Sequence, residues 1–496
     1  MARKPTGTRK SKTPALGQEE IAAGTFKGGV SDVHLEKFTE SALREYGKHV
    51  VENRAIPDFR DGLKPVHRAI LWAMYDLGLH YSKPYKKAAR TVGEVIGRFH
   101  PHGDLSAYGA MVTIANTNIP LVDGFGGWGD HVENAAAMRY TEARLSKFSD
   151  LYLLDPQYLA VVPKVKNFSN DAEWPRFLPA KLPIQLLVGS PTIPAYGVRA
   201  GNPSFALDGI LKLCQLGVRG KKITPELCLK YLKIELRWGG NCVANQEDLL
   251  RFYETGEGNL EFQPDYDFNS SKKELRILST CPGKFASAST IKTALTKIGE
   301  LKGVTWAGEQ SAAGVGKYNI CYTIKFGRIS EIEMEKLVDE ILGLVSGRGS
   351  FQLGWTHRKA NDETIFKQGG FHHFLNDWVK YRIALETAVL KYLIREESKK
   401  LERQKLLEWA VLNRELVFEA IRSKKVHPIQ HLMKAGNVEE EFATEVLRLQ
   451  ALSLAGLDLD KIKQRQLEIQ RVIKALKVDL KDPSNRLVEQ FNQVKL

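Results

Sequence analysis

Six apolar residues set the strongest limit on how this chain can fold. Phe374, Trp378, Tyr381, Leu385, Ala388 and Tyr392 recur at alternating spacings of four and three, the period of a coiled-coil seam on a long helix. The helical pattern continues to about Ile421 and breaks at His427 and Pro428. A compact helical segment follows to about Leu454, and after Gly456 a second long amphipathic helix spans Leu457 to Leu476. Two long helices with a small knob between them predict an antiparallel arm of the kind used for dimerisation. The pattern alone leaves an ordinary helical bundle open.

Ahead of the arm the chain reads as α+β and multidomain, with two to four domains for 496 residues. Residues 1–29 are rich in Lys, Arg, Gly, Ser and Thr and read as a disordered basic tail. Arg3, Lys4, Arg9, Lys10 and Lys12 have the chemistry to touch phosphates, but a solvated tail accounts for them more simply. Residues 30–165 alternate helical patterns with Gly-rich turns. Residues 166–366 are mixed, with strand-like runs at Leu260–Gln263 and Asn319–Lys325. Residues 367–496 are the arm and its knob.

Charge and cysteines narrow the function classes. Lys and Arg number 72 against 58 Asp and Glu, a net charge of +14. Such a surplus favours a polyanionic partner, because basic side chains that neutralise phosphates release condensed counterions. Charge alone leaves nucleic acid no better than even. Cys214, Cys228, Cys242, Cys281 and Cys321 form no C-x-x-C pair and are odd in number. That argues against a zinc ribbon or a disulfide framework and fits a reducing cytoplasm. No apolar run reaches the length of a membrane span, and no apolar signal core follows the start.

Two segments carry chemistry. In the first, Val92, Val95, Ile96 and Phe99 give one helical stripe, with Lys86, Lys87 and Arg90 largely off it. Pro101 and Gly103 break that helix, and Asp104 is a candidate N-cap for the next. Leu105, Tyr108, Met111, Val112 and Ala115 give the second helix its own stripe. Helix, short turn, helix with flanking basic residues is a helix-turn-helix candidate, a pattern too common to stand alone. His100 and His102 have the wrong spacing for a helical metal pair and read as phosphate contacts or as turn packing.

In the second segment, Gly124, Gly126, Gly127 and Gly129 permit a tight loop, but no lysine stands where a phosphate-binding P-loop needs one. Ala135, Ala136 and Ala137 then present Arg139 and Tyr140. A tyrosine can attack phosphorus and hold the broken phosphodiester as an ester. A phenol has a pKa of about 10, so it needs a base or a positive field, and Arg139 can supply part of one. Tyr140 is one of 16 tyrosines, and a tyrosine taken at random is far more often a packing residue.

Three stretches turn this pattern into a resemblance. Residues from Arg54 to Arg68, from Ala89 to Asp104 and from Ala135 to Arg144 resemble, in order and spacing, three motifs of the breakage-reunion subunit of bacterial gyrase and topoisomerase IV. Similarity continues at Leu186–Ala195, like the segment that wedges an isoleucine between DNA bases, and at Thr255–Leu260, like a turn of the tower domain. It covers about residues 30 to 495. The short form looks like the medium subunit of a bacteriophage type II topoisomerase.

The resemblance implies a winged-helix DNA-cleavage domain at 30–165, a mixed α/β tower at 166–366, and a coiled-coil arm with a small helical exit gate at 367–496. Tyr140 would be the nucleophile, with Arg139 and Arg54 catalytic beside it. Lys64, His67, Arg68, Arg90, His100 and His102 would contact DNA, and Ile193 would be the wedge. The expected enzyme is an ATP-dependent type IIA topoisomerase that breaks double-stranded DNA through 5′-phosphotyrosyl links and passes a second duplex through. Its partners would be a second copy of the chain and a large subunit carrying the ATPase and TOPRIM domains. ATP and Mg²⁺ would be bound by that large subunit, in the cytoplasm of a bacterium or phage-infected cell. Asp458 with Asp460, and Asp265 with Asp267, have the D-x-D form, but solvated carboxylates explain both better.

Departures from the family pattern carry their own expectations. Ala69 stands where a second basic residue is usual, which removes one phosphate contact. Leu105 and Gly109 stand where bacterial enzymes carry the serine and the acidic residue of the quinolone water-and-magnesium bridge, so a poor quinolone response follows. The chain ends at Leu496 with no DNA-wrapping β-pinwheel after the arm, which speaks against gyrase-like supercoiling. The rival readings are a non-enzymatic DNA-bridging protein of the same fold and an RNA-binding assembly protein.

Overall fold

The computed structural model describes residues 35–495 apart from 132, 196, 313, 316, 359–363, 423–425 and 450–457. The basic tail expected at 1–29 lies outside the described residues. The chain forms two compact units, Met1–His49 and Val50–Leu496. In the first, the described residues build a helix, α1 (Leu35–Val50), steadied by an Arg44–Glu40 pair one turn apart.

The second unit opens with helices packed on a small sheet. Pro65, whose missing N–H is no loss in a first turn, starts α2 (Pro65–Asp76), which buries Ala69, Ile70, Leu71, Ala73 and Met74. Helix α3 (Ala88–Glu94) widens into a π-helical turn at Val95–Phe99, and α4 (Asp104–Ala115) follows. Val92, Val95 and Phe99 are buried as their spacing predicts. Two details of the second helix differ from expectation. Gly103, not Asp104, is the capping position, and the Asp104 carboxylate accepts from the adjacent Leu105 N–H. Leu105 is 78% exposed, and the buried stripe is Ala107, Tyr108, Met111, Ile114 and Ala115. The buried face is centred on Ala107, Met111 and Ile114, which leaves Leu105 on the solvent side.

Strands β1 (Lys86–Lys87), β2 (Val122–Phe125) and β3 (Glu142–Leu145) form an antiparallel sheet in the order β1-β3-β2. Lys87 faces Glu142 and Asp123 faces Arg144 across it. Arg144 donates to Asp123 at 2.8 Å and to the Lys83 carbonyl at 3.0 Å, and its guanidinium lies 4.1 Å from the Tyr85 ring centre. These contacts tie the sheet to the segment that leads into α3.

The middle of the chain is mixed, as its strand-like runs among helices and turns predict. A five-stranded sheet includes strands at Ser190–Ala195, Val198–Asn202, Gly347–Gln352 and Glu257–Gln263, and a four-stranded antiparallel sheet includes Tyr322–Phe326. The run predicted from Asn319 becomes extended only at Tyr322, because Asn319 adopts φ +57° in a turn. The core does not stop at the boundaries near 165 and 366. Asp58 bridges Thr356, and the Phe59 N–H donates to the Thr356 carbonyl at 3.0 Å.

Helix α5 (Phe371–Leu412) carries the predicted seam, with Phe374, Trp378 and Leu385 buried. Its partner α6 (Leu459–Lys481) packs along it. Glu408 accepts from Gln466 at 2.7 Å, and Glu386 accepts from Arg486, beyond the end of α6, at 2.7 Å. Falling numbers on one side meet rising numbers on the other, so the pair is antiparallel. Between the two helices a separate core of Ala410, Val417, Ala420, Leu432, Ala443 and Val446 makes the knob. Polar contacts crowd the root of the arm. Arg382 and Glu386 on α5 are fully buried with Tyr158, whose hydroxyl donates to Glu386 at 2.5 Å.

Candidate active site

Tyr140 is presented, not packed. It is 65% exposed, on a loop held from several sides. The Tyr140 N–H donates to the Ala137 carbonyl at 2.8 Å, and the Ala88 and Ala89 N–H groups at the start of α3 donate to the carbonyls of Thr141 and Met138. The Gly-rich stretch explains how the loop fits. Trp128 lies over Gly124, where a Cβ would stand 2.5 Å from the indole nitrogen, and that nitrogen donates to the Glu142 carbonyl at 3.1 Å. Gly129 holds φ +81°, and a Cβ there would meet the Ala135 nitrogen at 2.8 Å. The Arg139 guanidinium carbon lies 4.6 Å from the centre of the Tyr140 ring. The cation thus sits at the ring face.

A second group of expected residues converges in a place of its own. Arg54, Lys64, His67, His100 and His102 line a cavity of about 290 Å³ together with the Gly189 and Ser190 backbone region. The rings of His100 and His102 stack with centres 4.0 Å apart. Burial lowers His67 to about 3, helped by the charges of Lys64 and Arg68. Burial lowers His100 to about 4, helped by His102 and Arg54. Burial also lowers Lys64. Every one of these shifts has burial as its leading cause, since a low-dielectric surrounding disfavours the charged form of a histidine or lysine. Arg139 and Tyr140 do not line it. A larger cavity of about 790 Å³, with Asp208, Lys233 and Tyr318 in its wall, contains none of the expected site residues.

The profile of the family described as the A subunit of DNA gyrase/topoisomerase IV matches residues 54–492. This chain belongs to that family. It is 29% identical over 451 residues to the A subunit of DNA topoisomerase 4 of Haemophilus influenzae, covering 89% of this chain and 59% of the relative. It is 30% identical to the protein of the same name in Escherichia coli K12, covering 88% and 58%. It is 28% identical to the A subunit of DNA gyrase of Helicobacter pylori J99, covering 93% and 56%. The chain therefore spans less than two thirds of the length of these relatives. They are bacterial proteins, and the likeness to a bacteriophage protein stays an expectation.

In this gyrase/topoisomerase IV A chain the expected site residues fall into distinct places. Tyr140 and Arg139 share the exposed loop, and Arg90 is exposed on α3. Arg54, Lys64, His67, His100 and His102 share the cavity. Arg68 departs from expectation. It is buried, and buried Asp61 accepts from it at 2.6 Å, so its Nε and Nη2 are engaged within the protein. Ile193 lies on the Ser190–Ala195 strand in register with Ala200, while its side chain lies outside what is described. The sequence pattern does not single out Asp61, and it shows Tyr108 as part of an apolar stripe, although its hydroxyl is hydrogen-bonded. The signal was there, since a buried phenol needs a hydrogen-bond partner.

Proposed function

We propose that this chain is the DNA-cleaving and rejoining subunit of an ATP-dependent type IIA topoisomerase. The observation that carries this reading is an exposed Tyr140 on a tightly tied loop, with a guanidinium against its ring, in a chain of the gyrase/topoisomerase IV A family. In the proposed step the Tyr140 oxygen attacks a backbone phosphorus. The bond from phosphorus to the 3′ oxygen breaks, a 5′-phosphotyrosyl ester forms, and the 3′ oxygen leaves with a proton. Reversal of the same step rejoins the strand. Arg139 steadies the negative charge that builds on the phosphoryl oxygens. Arg54, Lys64, His67, His100 and His102 hold a DNA phosphate in their cavity, so affinity comes from backbone contacts and little base readout.

The finer architecture belongs to the same proposal. The helices and sheet of residues 30–165 act as a winged-helix domain with α4 toward DNA, 166–366 as the tower, and 367–496 as the arm and exit gate. Ile193 is the wedge that unstacks a base step. Two copies pair, and the exposed Leu412, Ile421, Val426 and Met433 around the knob supply apolar surface for that pairing. A separate large subunit brings the ATPase and TOPRIM domains, with ATP and Mg²⁺. Among the described residues no three His, Cys, Asp or Glu side chains converge as a metal-ligand set. Among them also no helix is long and apolar enough to cross a membrane. The proposed place of action is the cytoplasm, where the DNA lies.

The test is to mix the chain, the large subunit, Mg²⁺, ATP and supercoiled plasmid, and then to denature. Broken plasmid with protein attached supports the reading. Intact plasmid under conditions where the DNA is bound points instead to a bridging protein.

A further inference from the structure

We propose that Tyr108 is the positioning residue for Tyr140, a role that rests on the reading of Tyr140 as the nucleophile. Tyr108 stands on the buried face of α4 among Ala107, Met111 and Ala115, and is only 8% exposed. Phenylalanine would satisfy that apolar environment, so the hydroxyl needs its own explanation. It donates to the Ala136 carbonyl at 2.6 Å and accepts from the Thr141 hydroxyl at 2.9 Å. Thr141 is itself fully buried.

These two partners bracket the loop. Ala136 and Thr141 flank Ala137 to Tyr140, and inside that span the Tyr140 N–H closes on the Ala137 carbonyl. One phenolic oxygen on a helix therefore pins both ends of the segment that carries the nucleophile. Chained donors of this kind, hydroxyl to hydroxyl to carbonyl, polarise and strengthen one another where water is excluded.

The same helix also serves the cavity. Ser106, Ala110 and Thr113 of α4 line it beside His102. Helix α4 thus has the phosphate-holding cavity on one side and the Tyr140 loop, through Tyr108, on another. Seating a phosphate in the cavity and aiming the Tyr140 oxygen are then one rigid-body event. In-line attack requires the reacting atoms to be about 3–3.5 Å apart, and a misplacement of about 1 Å costs on the order of a hundredfold in rate. Without the Tyr108 hydroxyl, the loop keeps its ties to α3 and Trp128 but loses its register on α4.

The experiment uses the holoenzyme, this chain with its large subunit and Mg²⁺, on supercoiled plasmid. The rate of covalent-complex formation at saturating DNA is measured beside DNA affinity and thermal melting. For Tyr108→Phe the expected result is a rate lowered about ten- to a hundredfold, with DNA affinity held within about twofold. Thr141→Val lowers the rate in the same direction, and Thr141→Ser recovers most of what Thr141→Val loses. If Tyr108→Phe does not fold, the two Thr141 variants decide, and a Thr141→Val protein that cleaves at the parent rate overturns the proposal. It is overturned as well if Tyr108→Phe cleaves at the parent rate, or if rate and DNA affinity fall by the same factor. A parent protein that binds DNA and never becomes linked to it removes the nucleophile reading and this inference together. A linked parent with an unaffected Tyr108→Phe removes the inference alone.

Discussion

The Arg68 guanidinium and the Asp61 carboxylate form a buried two-pronged pair, with Nε to Oδ2 at 2.6 Å and Nη2 to Oδ1 at 3.0 Å. Asp61 also accepts from the main-chain N–H groups of Leu63 and Leu178, and Arg68 donates to the Leu63 carbonyl. The pair therefore ties α2 to the loop before it and to a segment more than a hundred residues on. Removing one member leaves an uncompensated buried charge, which costs about 3–5 kcal/mol. Arg68→Ala is expected to lower unfolding free energy by about that amount in urea titration. Lys64→Ala, which alters the cavity, is expected to weaken DNA binding with much less effect on stability. Equal stability of Arg68→Ala and the parent would refute this division of labour.

The cavity histidines give a pH prediction. Both His67, at about 3, and His100, at about 4, lie below the ordinary histidine value, so the folded chain holds them neutral. A depressed histidine contributes stability that is complete above the unfolded value of about 6.5 and is lost as pH falls toward the folded value. Stability should decline from about pH 6.5 downward, and less steeply in His67→Asn and His100→Asn. Ring-proton NMR of the chain without DNA should show both residues neutral at about pH 5.5, well below the ordinary histidine value. Titration midpoints near 6.5 would contradict it.

At the root of the arm, Glu386 links α5 to Tyr158 and to Arg486 and Gln490 near the end of the chain. Burial pushes its carboxyl up, but the Arg382 charge and bonds from Tyr158, Arg486 and Arg382 outweigh that and hold it below the ordinary range. Its stabilisation is then full above the unfolded value of about 4.3 and lost as pH falls through the lower folded value. Glu386→Gln should destabilise the chain by about 3 kcal/mol near neutral pH, and the difference from the parent should shrink in acid. A pH-independent difference would contradict the account.

Particular residues show what is legible in the sequence and what is not. The seam from Phe374 to Tyr392 reveals the arm, because a period of three and four on one helix is a local property. The stripe of Val92, Val95 and Phe99 is equally local. Leu105 falls outside the buried face because that face is centred on Ala107, Met111 and Ile114, and at about 100° per residue Leu105 lies well round the helix from its middle. The Arg68–Asp61 pair is not legible, because a basic residue looks the same in sequence whether its partner is a phosphate or a buried aspartate seven residues away. Tyr158, Arg382 and Glu386 cannot be joined on sequence grounds, since their meeting depends on how the arm returns to the body.

Leu105 and Gly109 lie one turn apart on α4, and both are exposed. In the resembled family these two positions carry the hydroxyl and carboxylate that hold the drug's water-and-magnesium bridge. An aliphatic side chain and a bare Cα offer neither oxygen, so quinolones should stimulate cleavage poorly. Leu105→Ser with Gly109→Asp should raise the response at least about tenfold, the size of effect that lost charge-assisted hydrogen bonds produce. A parent enzyme as sensitive as a bacterial gyrase would reject the expectation.

The most direct test of the central claim is to trap the cleaved complex, digest the protein, and sequence the peptide left on DNA. The account predicts a single peptide linked through Tyr140 to the 5′ phosphate of each broken strand, and none from Tyr140→Phe. Linkage through another residue, attachment to the 3′ end, or a bound DNA that never acquires a peptide would contradict it.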